Sequence, residues 1–314
     1  MSRYPFTDSA SEYMSQMRGQ FATATWDALN RRYRRMGKDL NDLYAEKLIT
    51  TTSPKKMSSD DVREYLLYRK GKNLSQKEYS HDVSAMRALL QHEDNSAVDI
   101  CLHRNPLLKP RASGKRLPSM SDSLYKEILE RSKDLGDDFR RVRAYALVIF
   151  ALCTGLRTKE LKSVTIDDID MSSEPWIVHV QHVKGEGSWG EERDVPINPD
   201  SYPILKHYLE LLKEWLRVNH VNYRILFAGI NDSKTGELSS NRIRSIKKIV
   251  EDEVGCNFPL QICRRTYGQR LSDSDADIES VSVVLGHATT KTTEGYYCRK
   301  NTKKAIDNIA KVWS

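Results

Sequence analysis

Cysteine and long apolar runs are both scarce in this chain of 314 residues. The five cysteines are scattered and none forms a Cys-x-x-Cys pair, so neither a disulfide framework nor a thiolate zinc site is expected. The longest apolar run, Ala144 to Cys153, covers about half of the 20 residues that a membrane-spanning helix needs, and it predicts a buried helix. The first residues are polar and contain no apolar signal region, which indicates an intracellular, cytoplasmic protein.

The common motifs of nucleotide-binding and hydrolytic enzymes are also missing. No P-loop, Gly-x-Ser-x-Gly or His-Glu-x-x-His sequence occurs. A Gly-x-Gly-x-x-Gly pattern at 185–190 follows a predicted strand, but a dinucleotide site would need a helix next. The following residues are acidic, strand-like and include Pro196, so we interpret the pattern as a hairpin turn. No group of carboxylates, histidines or cysteines has metal-ligand spacing, and we expect neither a metal nor another cofactor.

Positive charge is concentrated in the first third of the chain. The formal net charge is +7, with 50 lysines and arginines against 43 aspartates and glutamates. Residues 1–120 contain 21 of the basic residues and 14 of the acidic ones, whereas residues 121–314 contain 29 of each. The excess therefore lies entirely before residue 121 and favours an anionic partner for that part.

A break in composition divides the chain into two predicted domains. Residues 102–118 contain three prolines, one glycine and six basic residues, counting the histidine, and show little helical periodicity. We predict a helical domain over 1–104, a basic linker over 105–118 and a second domain over 119–314. The fold class expected for the whole chain is mainly α with a small antiparallel β-sheet.

Helix signals are clear in the first domain. An amphipathic stretch begins at Thr25, and Ser58 or Ser59 is a predicted N-cap for the helix that follows it. A further helix is predicted over 80–91, with Val83 among its inward residues.

In the second domain, Ser121 is predicted to cap a helix, and Phe139 to Cys153 forms a buried one that ends at Gly155 in the left-handed conformation. Thr158 is the predicted cap of the next helix. Alternating residues predict a hairpin of two strands at 176–183 and 193–197. The remaining helices are predicted at 201–217, 239–253, 261–272 and 277–285, with short ones near the C-terminus.

Four short segments contain candidate functional side chains. Arg157 follows a glycine turn at the start of a helix with Glu160 one turn later, and Lys184 lies in the hairpin turn. Arg264 lies on a predicted helix, and His287 follows a glycine that ends another helix. Two tyrosines come shortly after that histidine. Each segment alone is better explained by an ordinary structural role, so only the order and spacing of the four segments indicate a shared functional site.

Together the segments resemble the tyrosine recombinase family (phage integrases, Xer type). The matching pieces are the sequence TGLRTKEL, the hairpin HVKGEG with RDVPI, the helix with Arg264, the LGH triplet that ends at His287, and TTEGYY. In that family the nucleophilic tyrosine lies nine residues after this histidine, which here is Tyr296, with Tyr297 as the alternative register. The resemblance covers about residues 121–314, and the first domain matches only as a helical, basic domain.

The resemblance implies a role for each matching residue. Arg157 and Arg264 would hold the scissile phosphate, Lys184 would protonate the leaving group, and Tyr296 would attack the phosphorus. His287 would be the later histidine of the family's active site. Glu160 would orient Arg157. The chain departs from the family where a histidine usually precedes the second arginine by three residues, because Gln261 stands there. A glutamine donates a hydrogen bond but does not carry a proton or a charge, so activity is expected to be lowered or retuned.

The family also implies a double-stranded DNA partner with a specific recombination site and a C-shaped clamp of two domains around it. Free protein would be a monomer, and a tetramer would form on two duplexes through an amphipathic tail at 302–314. We expect phosphate contacts from four arginines of the first domain, from the linker and from a helix at the major groove. These residues are Arg31, Arg32, Arg34 and Arg35, Lys109, Arg111, Lys115 and Arg116, and Arg242, Arg244, Lys247 and Lys248.

Three functions agree with these observations. The first is a site-specific recombinase of a mobile element or chromosome, which exchanges strands through a Holliday junction and acts in the nucleoid. The second is a DNA-binding relative without strand exchange, for which Gln261 is the supporting feature. The third is a type IB topoisomerase-like enzyme, which uses the same tyrosine chemistry without site specificity.

Overall fold

A computed structural model describes most of the chain as two compact units, Met1–Lys115 and Arg116–Ser314. The boundary lies within the basic segment at 105–118 that the sequence indicates as a linker. Within the described ranges no helix is both long and apolar enough to cross a membrane. The described residues are 3–111, 118–181, 191–229, 236–274, 276–296, 306 and 310.

The described part of the first unit is helical, as predicted. Ser58 is the N-cap of the third helix, because its hydroxyl accepts from the backbone N–H of Asp61 and the Asp61 carboxylate accepts from Ser58 in return. Two helices of this unit were not predicted from the sequence: the first, which buries Phe6 and Tyr13 along one face, and the fifth, at the end of the unit's helical part. The helices are α1 (Pro5–Gln16), α2 (Thr23–Ala45), α3 (Ser59–Gly71), α4 (Gln76–His92) and α5 (Ala97–Arg104).

The first residues of the predicted linker pack on this unit. Leu108 is buried, and its carbonyl accepts a hydrogen bond of 2.8 Å from the Tyr79 hydroxyl. The ammonium of Lys70 donates to the carbonyl of Leu107 at 2.9 Å. Apolar leucines between the prolines therefore extend the first unit beyond the end of α5.

The second unit is built around one buried helix, as the apolar run predicts. The carboxylate of Asp138 caps this helix at its start, and Gly155 ends it with a φ of 63°. Every residue from Val142 to Thr154 is buried. The helices of this unit are α6 (Asp122–Arg131), α7 (Phe139–Thr154), α8 (Thr158–Ser163), α9 (Tyr202–Val218), α10 (Ser240–Val254), α11 (Gln261–Asp273), α12 (Ile278–Leu285) and α13 (Thr290–Tyr296).

A small antiparallel sheet accompanies these helices, and the predicted hairpin is part of it. Strand β1 (Ile169–Asp170), which the sequence did not indicate, pairs with β2 (Ile177–Val180), and β2 pairs with β3 (Arg193–Pro196). The register places Val180 opposite Arg193 at the end of the hairpin where the two strands are joined. Residues 182–190, which join the two strands and include Lys184, lie outside the described residues.

Candidate active site

Arg157 is held by the start of helix α8. It occupies the N-cap position, where the sequence predicted Thr158, and the prediction was wrong by one residue. The Glu160 carboxylate accepts from the Arg157 backbone N–H at 2.7 Å and from its guanidinium at 2.8 Å. The side chain of Glu160 is 1% exposed and that of Arg157 is 22% exposed. Glu160 therefore contacts both the backbone and the side chain of Arg157, and its orienting role stays a prediction.

The second predicted arginine approaches the same turn from helix α11. Arg264 is buried, and its guanidinium donates to the carbonyl of Gly155 at 2.8 Å, two residues before Arg157. It also donates to the carbonyl of Leu285 at the end of α12 and lies 3.1 Å from Nε2 of His287. The turn leaves room only for glycine at 155, because a Cβ there would lie 2.6 Å from the Tyr267 ring.

The two arginines converge on consecutive carbonyl groups. Arg157 donates to Gly286 at 2.5 Å, while Arg264 donates to the preceding residue, Leu285. Residues far apart in the sequence are thus brought to one loop, and His287 follows directly. This convergence joins three of the four sequence segments whose spacing produced the family resemblance.

His287 lies between Arg264 and helix α13. Burial, followed by the positive charges of Arg264, Arg157 and Arg193, lowers its pKa from 6.5 to about 3, so the imidazole is neutral at pH 7. Nδ1 lies 2.8 Å from the hydroxyl of Thr293 on α13. Because a guanidinium only donates, Nε2 must accept from Arg264, which assigns the proton to Nδ1 and makes it the donor to Thr293.

Thr293 connects the histidine to the helix that contains the predicted nucleophile. It is fully buried and lies three residues before Tyr296, the last residue of α13. The Tyr296 side chain and the whole of Tyr297 lie outside the described residues. The choice between the two tyrosines therefore stays a prediction from the nine-residue spacing.

Gln261, the departure from the family pattern, is the first residue of α11. It is exposed and lies one turn before Arg264, so the two residues share a face of the helix. Its amide is thus on the side from which Arg264 extends, and its participation in phosphate binding stays a prediction.

Sequence reasoning missed Arg193. This residue begins β3, and its side chain is 7% exposed beside Glu160. The available signal was strand alternation: Arg193 shares a sheet face with Val195, which is fully buried. An arginine on that face needs an internal acceptor, and the carboxylate of Glu160 provides one.

Two of the arginines predicted to bind DNA are engaged within the first unit. Arg32 and Arg35 both pair with the carboxylates of Asp82 and Glu78 on α4, and Asp82 is completely buried. We therefore remove them from the phosphate-binding set, because their guanidinium groups neutralise a buried carboxylate. Arg31 and Arg34 on the same helix α2 are exposed.

Lys247 of α10 is also removed from the DNA-binding set. It is buried, pairs with Glu251 and donates to the carbonyl of Phe258 at 2.6 Å. Its neighbour Lys248 is 52% exposed, with a surface ion pair to Asp252 at 2.6 Å. Of the other predicted contacts that the structure describes, Arg242 is half-buried. The remaining ones are exposed: Arg244, Lys109 and Arg111. Lys115 and Arg116 lie outside the described residues.

Among the residues that the structure describes, no three histidine, cysteine, aspartate or glutamate side chains are grouped so that they would hold a metal ion. The described cations of the site include Arg157, Arg264 and Arg193.

Comparison with known proteins decides the family. The sequence profile of the phage integrase family matches residues 119–304, more than half of the chain and all of the site described above. The chain belongs to the phage integrase family, the tyrosine recombinases. This integrase-family chain is 30% identical over 217 residues to tyrosine recombinase XerC of Neisseria meningitidis serogroup C. The match spans 68% of this chain and 64% of that protein, which is less than two thirds of its length.

Further relatives cover more of the integrase-family chain. XerC of Neisseria meningitidis serogroup B is 27% identical over 292 residues, 90% of this chain and 86% of that protein. Among solved structures, XerH site-specific recombinase bound to its palindromic difH substrate superimposes with a TM-score of 0.70 at 18% identity, covering 98% of this chain and 84% of that one. The Tn1549 transposon integrase in complex with circular intermediate DNA gives 0.66 at 16% identity, covering 97% and 99%. The structural matches agree with the predicted fold class, a mainly helical chain with a small antiparallel sheet.

Proposed function

We propose that this chain is a site-specific DNA recombinase that cuts and rejoins DNA strands through a covalent phosphotyrosine at Tyr296. The observation that carries the proposal is the convergence of Arg157 and Arg264 on the consecutive carbonyls of Leu285 and Gly286, beside His287. Two guanidinium groups fixed side by side match the two nonbridging oxygens of a phosphodiester.

The chemistry is a reversible exchange of phosphate esters. The Tyr296 oxygen attacks the phosphorus, the bond to the 5′-oxygen breaks, and a 3′-phosphotyrosine forms while the 5′-oxygen leaves as a hydroxyl. Lys184 supplies the proton to the leaving oxygen. Attack by the 5′-hydroxyl of another strand reverses the step and releases the tyrosine, so no bond energy is lost.

The arginines stabilise the charge that builds up on the nonbridging oxygens. Removing one preorganised donor of this kind lowers the rate by a factor of about 100 to 1000. Arg264 is held by backbone carbonyls and His287, and Arg157 by Glu160 and Gly286, so neither group needs to reorganise during the reaction. In this arrangement the neutral His287 orients Arg264 and tethers α13.

The substrate is double-stranded DNA, and several recombinases with this fold are known as complexes with their DNA sites. The exposed basic residues supply phosphate contacts in our proposal, now without Arg32, Arg35 and Lys247. Exchange of two strand pairs requires four active sites, so we propose a tetramer that forms on two duplexes from free monomers. A protein with this activity acts on the nucleoid in the cytoplasm.

A suicide substrate tests the proposal. A nick placed near the cleavage position lets the short 5′-hydroxyl fragment diffuse away, so the covalent protein–DNA adduct accumulates. The adduct should form on the cognate site with the wild-type chain, vanish with Tyr296→Phe and persist with the matched control Tyr297→Phe. Adduct loss only in Tyr297→Phe would show that the register of the nucleophile is wrong.

Two other outcomes would favour the alternative functions. No adduct on the cognate site, together with sequence-specific binding, would identify a DNA-binding relative without strand exchange. Relaxation of supercoiled DNA of arbitrary sequence, without a defined recombinant junction, would identify a topoisomerase-like activity.

A further inference from the structure

Arg193 of β3 contacts Glu160 and the end of α12, which also bind Arg157 and Arg264. Its side chain is 7% exposed, and all three guanidinium nitrogens donate to acceptors within the protein. Each of these acceptors belongs to a residue that also binds Arg157, or lies within two residues of one that binds Arg157 or Arg264.

The first support is the carboxylate of Glu160. Arg193 binds it with both terminal nitrogens, at 3.2 Å to Oε1 and 2.9 Å to Oε2, while the same two oxygens accept from Arg157. Burial raises the pKa of Glu160, but the hydrogen bonds and charge of Arg193, with those of Arg157, lower it below its usual value. Glu160 therefore stays ionised between two arginines.

The second support is the C-terminal end of α12. Nε of Arg193 donates to the carbonyl of Val284 at 2.8 Å, two residues before the carbonyl of Gly286 that accepts from Arg157. Gly286 ends the helix with a φ of 62°, and a Cβ there would crowd the Arg193 guanidinium at 3.0 Å. Arg193 thus binds the helix end that also receives Arg264 at Leu285.

The position of Arg193 in the sheet adds a third connection. It is the first residue of β3 and pairs with Val180, the last residue of β2, at the point where the hairpin leaves the sheet. Lys184 follows Val180 by four residues in the sequence. An anchored Arg193 therefore fixes the base of the hairpin that contains the proposed general acid.

We infer that Arg193 is a positioning residue for strand cleavage, which acts by holding Glu160 and the end of α12 at 284–286 so that Arg157 faces the phosphate. The inference rests on the proposed function. Because a misplacement of about 1 Å in a reacting group lowers a rate roughly 100-fold, loss of Arg193 should have an effect of that size on cleavage.

Single-turnover cleavage of the suicide substrate by Arg193→Met and Arg193→Lys tests this inference. We expect Arg193→Met to cleave about 100-fold more slowly with DNA affinity changed less than about threefold. Arg193→Lys keeps the positive charge but loses the bidentate hydrogen bond to Glu160, so it should cleave faster than Arg193→Met and more slowly than the wild-type chain. Arg143→Met is the matched control, since Arg143 is a buried arginine of α7 whose guanidinium donates to the carbonyl of Ala228.

A double-variant cycle separates positioning from general damage to the fold. If Arg193 acts through Arg157, the variant with both Arg157→Met and Arg193→Met should cleave within about threefold of Arg157→Met alone. Multiplication of the two losses, or a loss in Arg193→Met no greater than in Arg143→Met, would overturn the inference. Absence of cleavage by the wild-type chain would instead overturn the proposed function.

Discussion

Acidification should destabilise the second unit through His287, and replacement by glutamine should remove this sensitivity. In the folded chain the imidazole accepts from Arg264 at 3.1 Å and donates to Thr293 at 2.8 Å, and burial with three nearby arginines holds its pKa at about 3. Glutamine can make both contacts, because its amide both accepts and donates, but it does not take up a proton.

The direction of the change in stability with pH follows from the number of protons bound by the folded and by the unfolded chain. Between pH 6.5 and pH 3 the unfolded chain protonates this histidine and the folded chain does not, so stability falls as the pH is lowered through that range. At pH 4 the unscreened difference is about 3 kcal/mol. Because the ring of His287 is partly exposed, screening by solvent should reduce it to about 2 kcal/mol.

Urea unfolding of the wild-type chain and of His287→Gln at pH 7 and pH 4 measures this difference. Trp176 and Trp215 report on the second unit through their fluorescence, and other titrating groups are common to both proteins and cancel. The wild-type chain should lose about 2 kcal/mol more than the variant on acidification. Equal losses, or an NMR titration of the His287 ring with a midpoint near 6.5, would refute the assigned protonation state.

Three further predictions address the turn, the buried ion pairs and the DNA contacts. Gly155→Ala should lower the free energy of unfolding by about 1–3 kcal/mol, because residue 155 has a φ of 63° and a Cβ would meet the Tyr267 ring; an unchanged melting temperature would contradict this. Asp82→Asn should destabilise the first unit by about 3–5 kcal/mol in urea unfolding, because its arginine partners lose their buried counter-charge, and a change below about 1 kcal/mol would show the network to be dispensable. Replacing Arg31 and Arg34 together with alanine should leave stability within about 0.5 kcal/mol and make the slope of log affinity against log salt shallower by about 1.8, whereas an unchanged slope would exclude both from phosphate contact.

The sequence was sufficient for the elements that local chemistry determines. The apolar run before Gly155 predicted a buried helix and its left-handed end, and both are present. Ser58 and Ser121 cap helices as their side chains suggested. The spacing of the motifs around Arg157, Arg264 and His287 identified the family and the residues that the fold brings together.

Most of the parts that were missed depend on contacts between distant residues. Lys247 is the exception, because its partner Glu251 lies four residues away on the same helix and the spacing is visible in the sequence. Arg32 belongs to a basic stretch, and only the folded chain shows that a carboxylate on a facing helix engages it. Arg193 has the same explanation, since its partner Glu160 lies 33 residues away in the sequence. The composition alone suggests that the charges of these residues are free to bind DNA, but in the folded chain they form internal ion pairs.

Mass spectrometry of the trapped adduct identifies the residue that attacks the phosphorus. After protease and nuclease digestion of the wild-type chain trapped on the suicide substrate, we expect one modified peptide, with the nucleotide attached to the oxygen of Tyr296. Attachment to Tyr297 or to any other residue, or cleaved DNA without an attached peptide, would contradict this expectation.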